Sequence, residues 1–311
     1  MGTPSENAPY LPNLVIGGVA KAGTTSLFRY LAQHPAVCPS DVKELRYFSA
    51  LRYGEELAPL DSYSKHFRHW AGEQYRMEAT PGYYAGGRLV ADAVQSLLPD
   101  ARVLVSFRDP VQRCWSWFRF VRSTARIPKD MGFADYIDHC LELHRDGVDG
   151  TRDNQPFWGL GGGCYDTWLE PWVEVFGPRF RVEFFENVIR DPRTVVEGVC
   201  GWLGIDQAVC ADFRYSVENK TVQYKNKQLQ KAALLVNRRT ETFFAAHPQL
   251  KQALRGAYYR VNSEDSQDRL GAAERLRLEE FYAPHNQRFA ASLAAAGVLD
   301  VPDWLGVHRP V

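Results

Sequence analysis

The 311-residue sequence has no excess of either charge: 37 Lys and Arg face 37 Asp and Glu, for a formal net charge of zero. Proteins that hold nucleic acid by bulk charge are more often basic, so that class is disfavoured and any anion site has to be local. Cysteine is sparse and unpatterned. The six (Cys38, Cys114, Cys140, Cys164, Cys200 and Cys210) include no Cys-x-x-Cys pair. That spacing suggests neither a zinc site nor a small disulfide framework, and buried thiols in a reducing compartment are expected. No apolar run approaches the length of a membrane span. Residues 1–10 are polar and lack the apolar core of a signal peptide, so the expectation is a soluble, cytoplasmic protein. A Ser/Gly/Pro-rich linker and internal repeats are also missing. With 45% hydrophobic residues, the chain can bury one sizeable core, and a single domain over 1–311 is expected.

What is present starts at Leu14. Leu14 to Ile16 reads as a buried strand, Gly17 and Gly18 permit a sharp turn, Lys21 sits in that turn, and Gly23-Thr24-Thr25-Ser26 opens an amphipathic helix with Leu27, Phe28 and Leu31. Strand, glycine loop, lysine and helix N-terminus together make an anion site, because backbone N–H groups and the helix dipole both favour negative charge. Gly18 and Gly23 have the glycine spacing of the triphosphatase loop G-x-x-x-x-G-K-[ST], but Thr24 stands where its lysine belongs. The lysine lies inside the loop, so the same backbone architecture is expected with a different nucleotide.

Further along, Lys43-Glu44 precede Leu45-Arg46-Tyr47-Phe48. Two readings stay open on the residues alone. Glu44 can take a proton from an acceptor hydroxyl while Lys43 or Lys21 faces a developing anion, or the pair is a solvated ion pair beside a core aromatic. Residues 61–70 look helical, with His66 and His69 on one face, packed or solvated rather than metal-bound. Tyr75 to Ala79 and Arg102 to Phe107 read as strands. The second ends in Arg108-Asp109-Pro110, where Asp109 makes an N-cap and Pro110 a first helical turn. Arg108 is thereby held at the carboxyl end of a strand, where open α/β sheets bind ligands. Asp109 as a magnesium-binding strand-end aspartate is the competing reading. Residues 124–163 are the least orderly part, polar or glycine-rich apart from a helical stretch at 133–145. Such an insert is often a lid, here with Trp158 as a stacking surface for an acceptor; a surface loop is the alternative. Between Asn219 and Thr240 six basic residues and no acidic one appear, either a local positive field or a solvated helix face.

Taken in order, these segments resemble sulfotransferases that use 3′-phosphoadenosine 5′-phosphosulfate (PAPS), in particular the heparan sulfate sulfotransferase-like branch, over residues 13 to about 227. The resemblance implies an α/β fold, a P-loop-like parallel β-sheet flanked by helices on both faces. Residues 12–123 would form the donor-binding core, 124–163 an acceptor lid, and 164–311 the rest of the same domain. Lys21, Ala22, Gly23, Thr24, Thr25 and Ser26 match the 5′-phosphosulfate loop, and Arg108 with Ser116 the 3′-phosphate site. Glu44 stands at the position of the catalytic base, with Lys21 the catalytic cation. Glu78, Thr80, Pro81 and Tyr83 match a segment that lines the acceptor cleft, to which Lys43 also belongs. Ala79 stands where relatives acting on heparan chains often carry lysine, which weakens a sulfated polysaccharide as acceptor. Tyr165 matches a Gly-x-Tyr near the donor. Asn219-Lys220-Thr221 match the start of a loop that contacts the 3′-phosphate and adenine, although the glycine and cysteine that follow in relatives are absent.

The implied reaction moves a sulfuryl group from PAPS to a hydroxyl, with an amine as the second choice, and leaves adenosine 3′,5′-bisphosphate (PAP). No metal is expected to be required. The acceptor is a small molecule or a glycan, and no nucleic-acid partner is expected. A kinase or triphosphatase using magnesium-ATP, and a non-catalytic nucleotide-binding module, remain the alternatives.

Overall fold

The computed structural model describes residues 10–216 and 269–306, together with the backbone of two short paired strands at 223–224 and 263–264. Five strands, β1 (Leu14–Gly18), β2 (Val37–Pro39), β3 (Tyr75–Ala79), β4 (Arg102–Phe107) and β5 (Phe180–Phe184), form one sheet in the order β2-β3-β1-β4-β5. Every pairing is parallel, with Ile16 opposite Ala79 on one side and Leu104 on the other. Parallel neighbours need long crossovers, and here these contain helices. Nine helices are described: α1 (Thr24–Leu31), α2 (Asp61–Ser64), α3 (Gly87–Leu97), α4 (Pro110–Ser123), α5 (Phe133–Arg145), α6 (Asp166–Phe176), α7 (Phe185–Arg190), α8 (Pro192–Leu203) and α9 (Ala272–Ala295).

Strand β1 shows why both sheet faces are covered. Successive side chains point to opposite faces. Leu14 and Ile16 enter one layer with Leu27 and Leu31 of α1 and Val196 and Val199 of α8. Val15 enters the other with Val90 and Val94 of α3, Leu169 and Trp172 of α6, and Phe289 of α9. A strand buried on both sides is apolar throughout, which is the pattern read at Leu14–Ile16. The chain leaves β1 toward β2 and leaves β4 toward β5. The carboxyl ends of β1 and β4 therefore flank the crevice where the winding direction changes, the ligand position in such sheets.

Residues 124–163 hold the expected helix, α5, with turns before it and turns and short 3₁₀ pieces after it, but part of the segment is packed into the core. Tyr136, Ile137 and Cys140 of α5, with Ile127 and Leu160, pack against Val111, Phe118 and Val121 of α4 and Leu278 and Tyr282 of α9 in a third apolar cluster. That part is a packed wall of the fold. Its apolar face is spread over residues that only tertiary structure unites. One helix boundary also differs: the 61–70 segment is helical to Ser64 and continues as a 3₁₀ turn to Phe67.

Candidate active site

The loop between β1 and α1 has the backbone its glycines and lysine suggest. Lys21 and Gly23 both have positive φ, 74° and 81°. At Gly23 the requirement is also steric, since a β-carbon would lie 2.8 Å from the Phe185 ring. Gly23 is the N-cap of α1 and no side chain caps that helix, so its first N–H groups remain for an external acceptor. Thr25 and Ser26 are half-buried at that end, and Thr24 is buried. Ala22 is a correction to the sequence reading: it is fully buried and its N–H donates to the Val19 carbonyl at 3.2 Å, so it has nothing left to offer a donor.

Cations converge on this loop. Arg108 leaves the end of β4, donates from Nη1 to the Lys21 carbonyl at 3.1 Å, and lies over the Phe185 ring at 4.4 Å. Asp109 caps α4 by accepting from the Val111 and Gln112 N–H groups at 2.8 and 3.4 Å, while its own N–H donates to Glu186 Oε1. With its carboxylate turned to the helix, Asp109 acts as the cap. Ser116 is half-buried on α4. One turn to either side stand Arg113 and Arg119, with Phe120 beside them, and residues three and four apart share a helix face. Lys21 Nζ rests 4.9 Å from the Phe120 ring centre, whereas Arg113 is buried with its Nη1 donating to the Gly159 carbonyl at 2.9 Å and reaches Lys21 through its charge alone. Burial first, then Arg108, Arg113 and Arg119, lower the Lys21 ammonium from its ordinary value to about 8, against the opposing pull of Glu44. Arg113 and Arg119 were missed in the sequence, although their spacing of three from Ser116 was there to be read.

Glu44 stands across from Lys21. It is half-buried, with a positive φ of 67°, and its N–H donates to the Ala79 carbonyl at 3.0 Å. Lys43 Nζ donates to its Oε1 at 3.1 Å and Arg46 Nη2 to its Oε2 at 3.0 Å. Burial alone would raise the carboxyl, but Lys43 and Arg46 outweigh it and hold Glu44 below the usual glutamate range. The group is therefore ionised at neutral pH and able to accept a proton.

Three further expectations change. Glu78 and Tyr83 have no exposed surface, so neither offers an atom to an acceptor. Instead the Tyr63, Thr80 and Tyr83 hydroxyls all donate to Glu78, Thr80 at 3.0 Å and Tyr83 at 3.4 Å. Thr80 Oγ1 in turn accepts the Arg46 N–H, and the Tyr83 hydroxyl accepts the Phe48 N–H. The network fastens the loop that carries Glu44. Tyr165 is 1% exposed and its hydroxyl donates to the Arg108 carbonyl at 2.8 Å; it supports Arg108 and cannot reach a donor itself. Trp158 is half-buried, 5.4 Å from the Arg52 guanidinium and packed on Trp168. Lys220 and Thr221 lie outside the described residues.

The family described as "Sulfotransferase domain" matches residues 11–246. The membrane-associated sulfotransferase kil1 of Dictyostelium discoideum is 29% identical over 167 residues, 49% of this chain and 34% of that protein. The bifunctional heparan sulfate N-deacetylase/N-sulfotransferase 1 of Caenorhabditis briggsae is 24% identical over 204 residues, 63% of this chain and 23% of that protein. The chain thus spans about a third or less of the length of these relatives. A solved sulfotransferase from Alicyclobacillus acidocaldarius shares the fold with a TM-score of 0.67 at 23% identity, covering 94% of this chain and 98% of that one. By the extent of the family match, the chain belongs to the sulfotransferase domain family.

Proposed function

We propose that this chain transfers the sulfuryl group of PAPS to the hydroxyl of a small-molecule or carbohydrate acceptor and releases PAP. The observation that carries the reading is Lys21 and Arg108 at one uncapped helix N-terminus, in a field to which Arg113 and Arg119 add charge, with the ionised Glu44 within electrostatic reach. A donor with phosphates at both ends of its ribose answers that charge. In the transfer, the bond from sulfur to the bridging 5′-phosphate oxygen breaks as the acceptor oxygen bonds to sulfur, and the acceptor proton passes to Glu44. Lys21 and the N–H groups at 24–26 stabilise the charge that develops on the leaving phosphate, while Arg108 and Ser116 hold the 3′-phosphate. As in phosphoryl transfer, alignment and charge stabilisation supply most of the catalysis. With the positive field already built from side chains and amides, the transfer step uses no metal ion.

The acceptor side carries Arg46, Arg52 and Arg126 beside Tyr53 and Trp158, which favours an acceptor with negative charge as well as a hydroxyl. Six buried thiols without a disulfide among them support a reducing, cytoplasmic setting. The test is transfer of label from radiolabelled PAPS to fractionated extracts and to acidic and neutral glycans, with Glu44→Gln alongside. We expect labelled product without added magnesium, and at least the roughly hundredfold loss of turnover typical of a missing general base, with PAP affinity retained. Equal turnover in Glu44→Gln, or binding of PAP with no transfer to any fraction, refutes the reading.

A further inference from the structure

His144 in α5, Cys164 just ahead of α6 and His285 in α9 come from three separate elements that the fold brings together. A ring nitrogen of each histidine and the Cys164 sulfur all lie within 4.8 Å of one another. Each imidazole is held from behind by its own carboxylate. His144 Nδ1 is 2.8 Å from Asp149 Oδ2, and His285 Nδ1 is 2.7 Å from Asp166 Oδ1. Asp166 is fixed in turn by Arg288, whose Nε donates to Oδ2 at 2.7 Å; Arg288 Nη2 also lies 3.0 Å from His285 Nδ1. The Asp149 carboxylate sits where a β-carbon on residue 161 would be, so only glycine leaves it room.

This is more than a pair of ion-paired histidines. An imidazole that gives its Nδ1 proton to a carboxylate has its tautomer fixed and its Nε2 lone pair turned to the far side of the ring, the arrangement of metal-ligating histidines. Here it occurs twice, on two helices, around one buried sulfur. Two imidazoles and a thiolate suit zinc. We propose that His144, Cys164 and His285 bind one divalent cation of the zinc class, with Asp149 and Asp166 orienting the two rings. Cys164 ligates as thiolate, its proton leaving to solvent as the metal enters. Asp149, Asp166 and the thiolate then balance the cation together with Arg288. Three protein ligands leave a fourth tetrahedral position for water, approached past His144, whose side chain is 35% exposed against 18% for His285.

The site would tie α5, in the 124–163 segment, to α6 and α9. It lies one residue from Tyr165, which holds the Arg108 backbone. Its role is architectural, separate from the transfer step. No Cys-x-x-Cys spacing announces it, because its ligands come one from each of three elements.

Metal analysis of the purified full-length protein, followed by chelation and titration with Co²⁺, tests the proposal. We expect one equivalent of Co²⁺ with the intense d–d absorption of tetrahedral coordination and a thiolate-to-metal charge-transfer band, both abolished by Zn²⁺. Cys164→Ser removes the charge-transfer band, and His285→Asn weakens binding. Asp149→Asn and Asp166→Asn, which keep all three ligands, lower Zn²⁺ affinity by about tenfold to a hundredfold. His139→Asn, on a half-buried histidine of the same helix outside the cluster, leaves it unchanged. The wild-type spectrum needs no variant to fold. No metal on the purified protein and no charge-transfer band with Co²⁺, or binding that survives Cys164→Ser unchanged, overturns the proposal.

Discussion

In the proposed donor site, Lys21 would carry its charge in surroundings that resist it. Burial, then Arg108, Arg113 and Arg119, bring its ammonium down to about 8 from 10.5, a disadvantage of roughly 3 kcal/mol for the charged form. The phosphates of PAP are fully ionised above neutral pH, their second ionisation lying near about 6. Seated against Nζ, they restore the protonated form. Binding must then take up a proton wherever free Lys21 is neutral: about a tenth of a proton near pH 7, about half near pH 8 and about nine-tenths near pH 9. The association constant tracks the protonated fraction and falls about tenfold from pH 7 to pH 9.

Isothermal titration calorimetry of PAP in buffers of different ionisation enthalpy measures both quantities at once. Lys21→Arg keeps a charge throughout and should flatten the profile with uptake near zero. Lys21→Met should bind weakly at every pH, also without uptake. The free protein gives a second reading of the same linkage. The folded pKa lies below the unfolded one, so between about 8 and about 10.5 the unfolded chain binds more protons and stability rises with pH. That rise is the part of the wild-type pH–stability curve missing from Lys21→Met. No proton uptake by wild type near pH 9, or equal uptake in Lys21→Arg, would refute the argument.

Other perturbations follow from the same contacts. Arg46→Ala removes one of the two cations that keep Glu44 low, so the acid limb of the kcat/KM profile should move to higher pH; an unmoved limb means that Glu44 is not the titrating base. Arg108→Ala should weaken PAP binding by about thirtyfold or more, as expected for truncating one partner of a partly buried charge pair, while turnover at saturating PAPS changes less; unchanged affinity by calorimetry would remove Arg108 from the donor site. Trp172 is fully buried and its Nε1 donates to the Tyr84 carbonyl at 2.9 Å. Trp172→Ala should cost about 3–5 kcal/mol, measured by urea denaturation.

The parts of the fold that were legible share one property: their signal lies within a few consecutive residues. Leu14–Ile16 and Arg102–Phe107 read as strands because buried parallel strands are largely apolar on both faces, and Asp109-Pro110 announced a helix start that the structure places there. What escaped depends on residues far apart. The 124–163 segment looked polar because its partners are on α4 and α9. Tyr165 was placed near the donor by the Gly-x-Tyr resemblance, which does not show that 99% of the residue's surface is covered. Nothing in the sequence around Arg113 and Arg119 says that their charges act on Lys21, which is 92 and 98 residues away in the chain. At Glu44 the residues left two readings open and only the resemblance chose between them; the structure adds that the carboxylate is within electrostatic reach of Lys21.

Glu44 and Glu78 illustrate how far one short loop and one strand can separate like groups. Burial drives Glu78 up to about 7 against three hydroxyl donors, whereas Lys43 and Arg46 keep Glu44 low despite its own partial burial. Environments that push two carboxyls apart often assign an acid and a base, but that assignment needs both to reach the substrate, and Glu78 has no exposed surface. Its effect has to pass through Thr80 and Tyr83 to the Arg46 and Phe48 N–H groups. Those bonds help hold Glu44 and Arg46 at positive φ, a conformation that side chains other than glycine seldom adopt unless their surroundings impose it. Geometry therefore makes Glu44 the carboxyl available for proton transfer and Glu78 the one that sets its position.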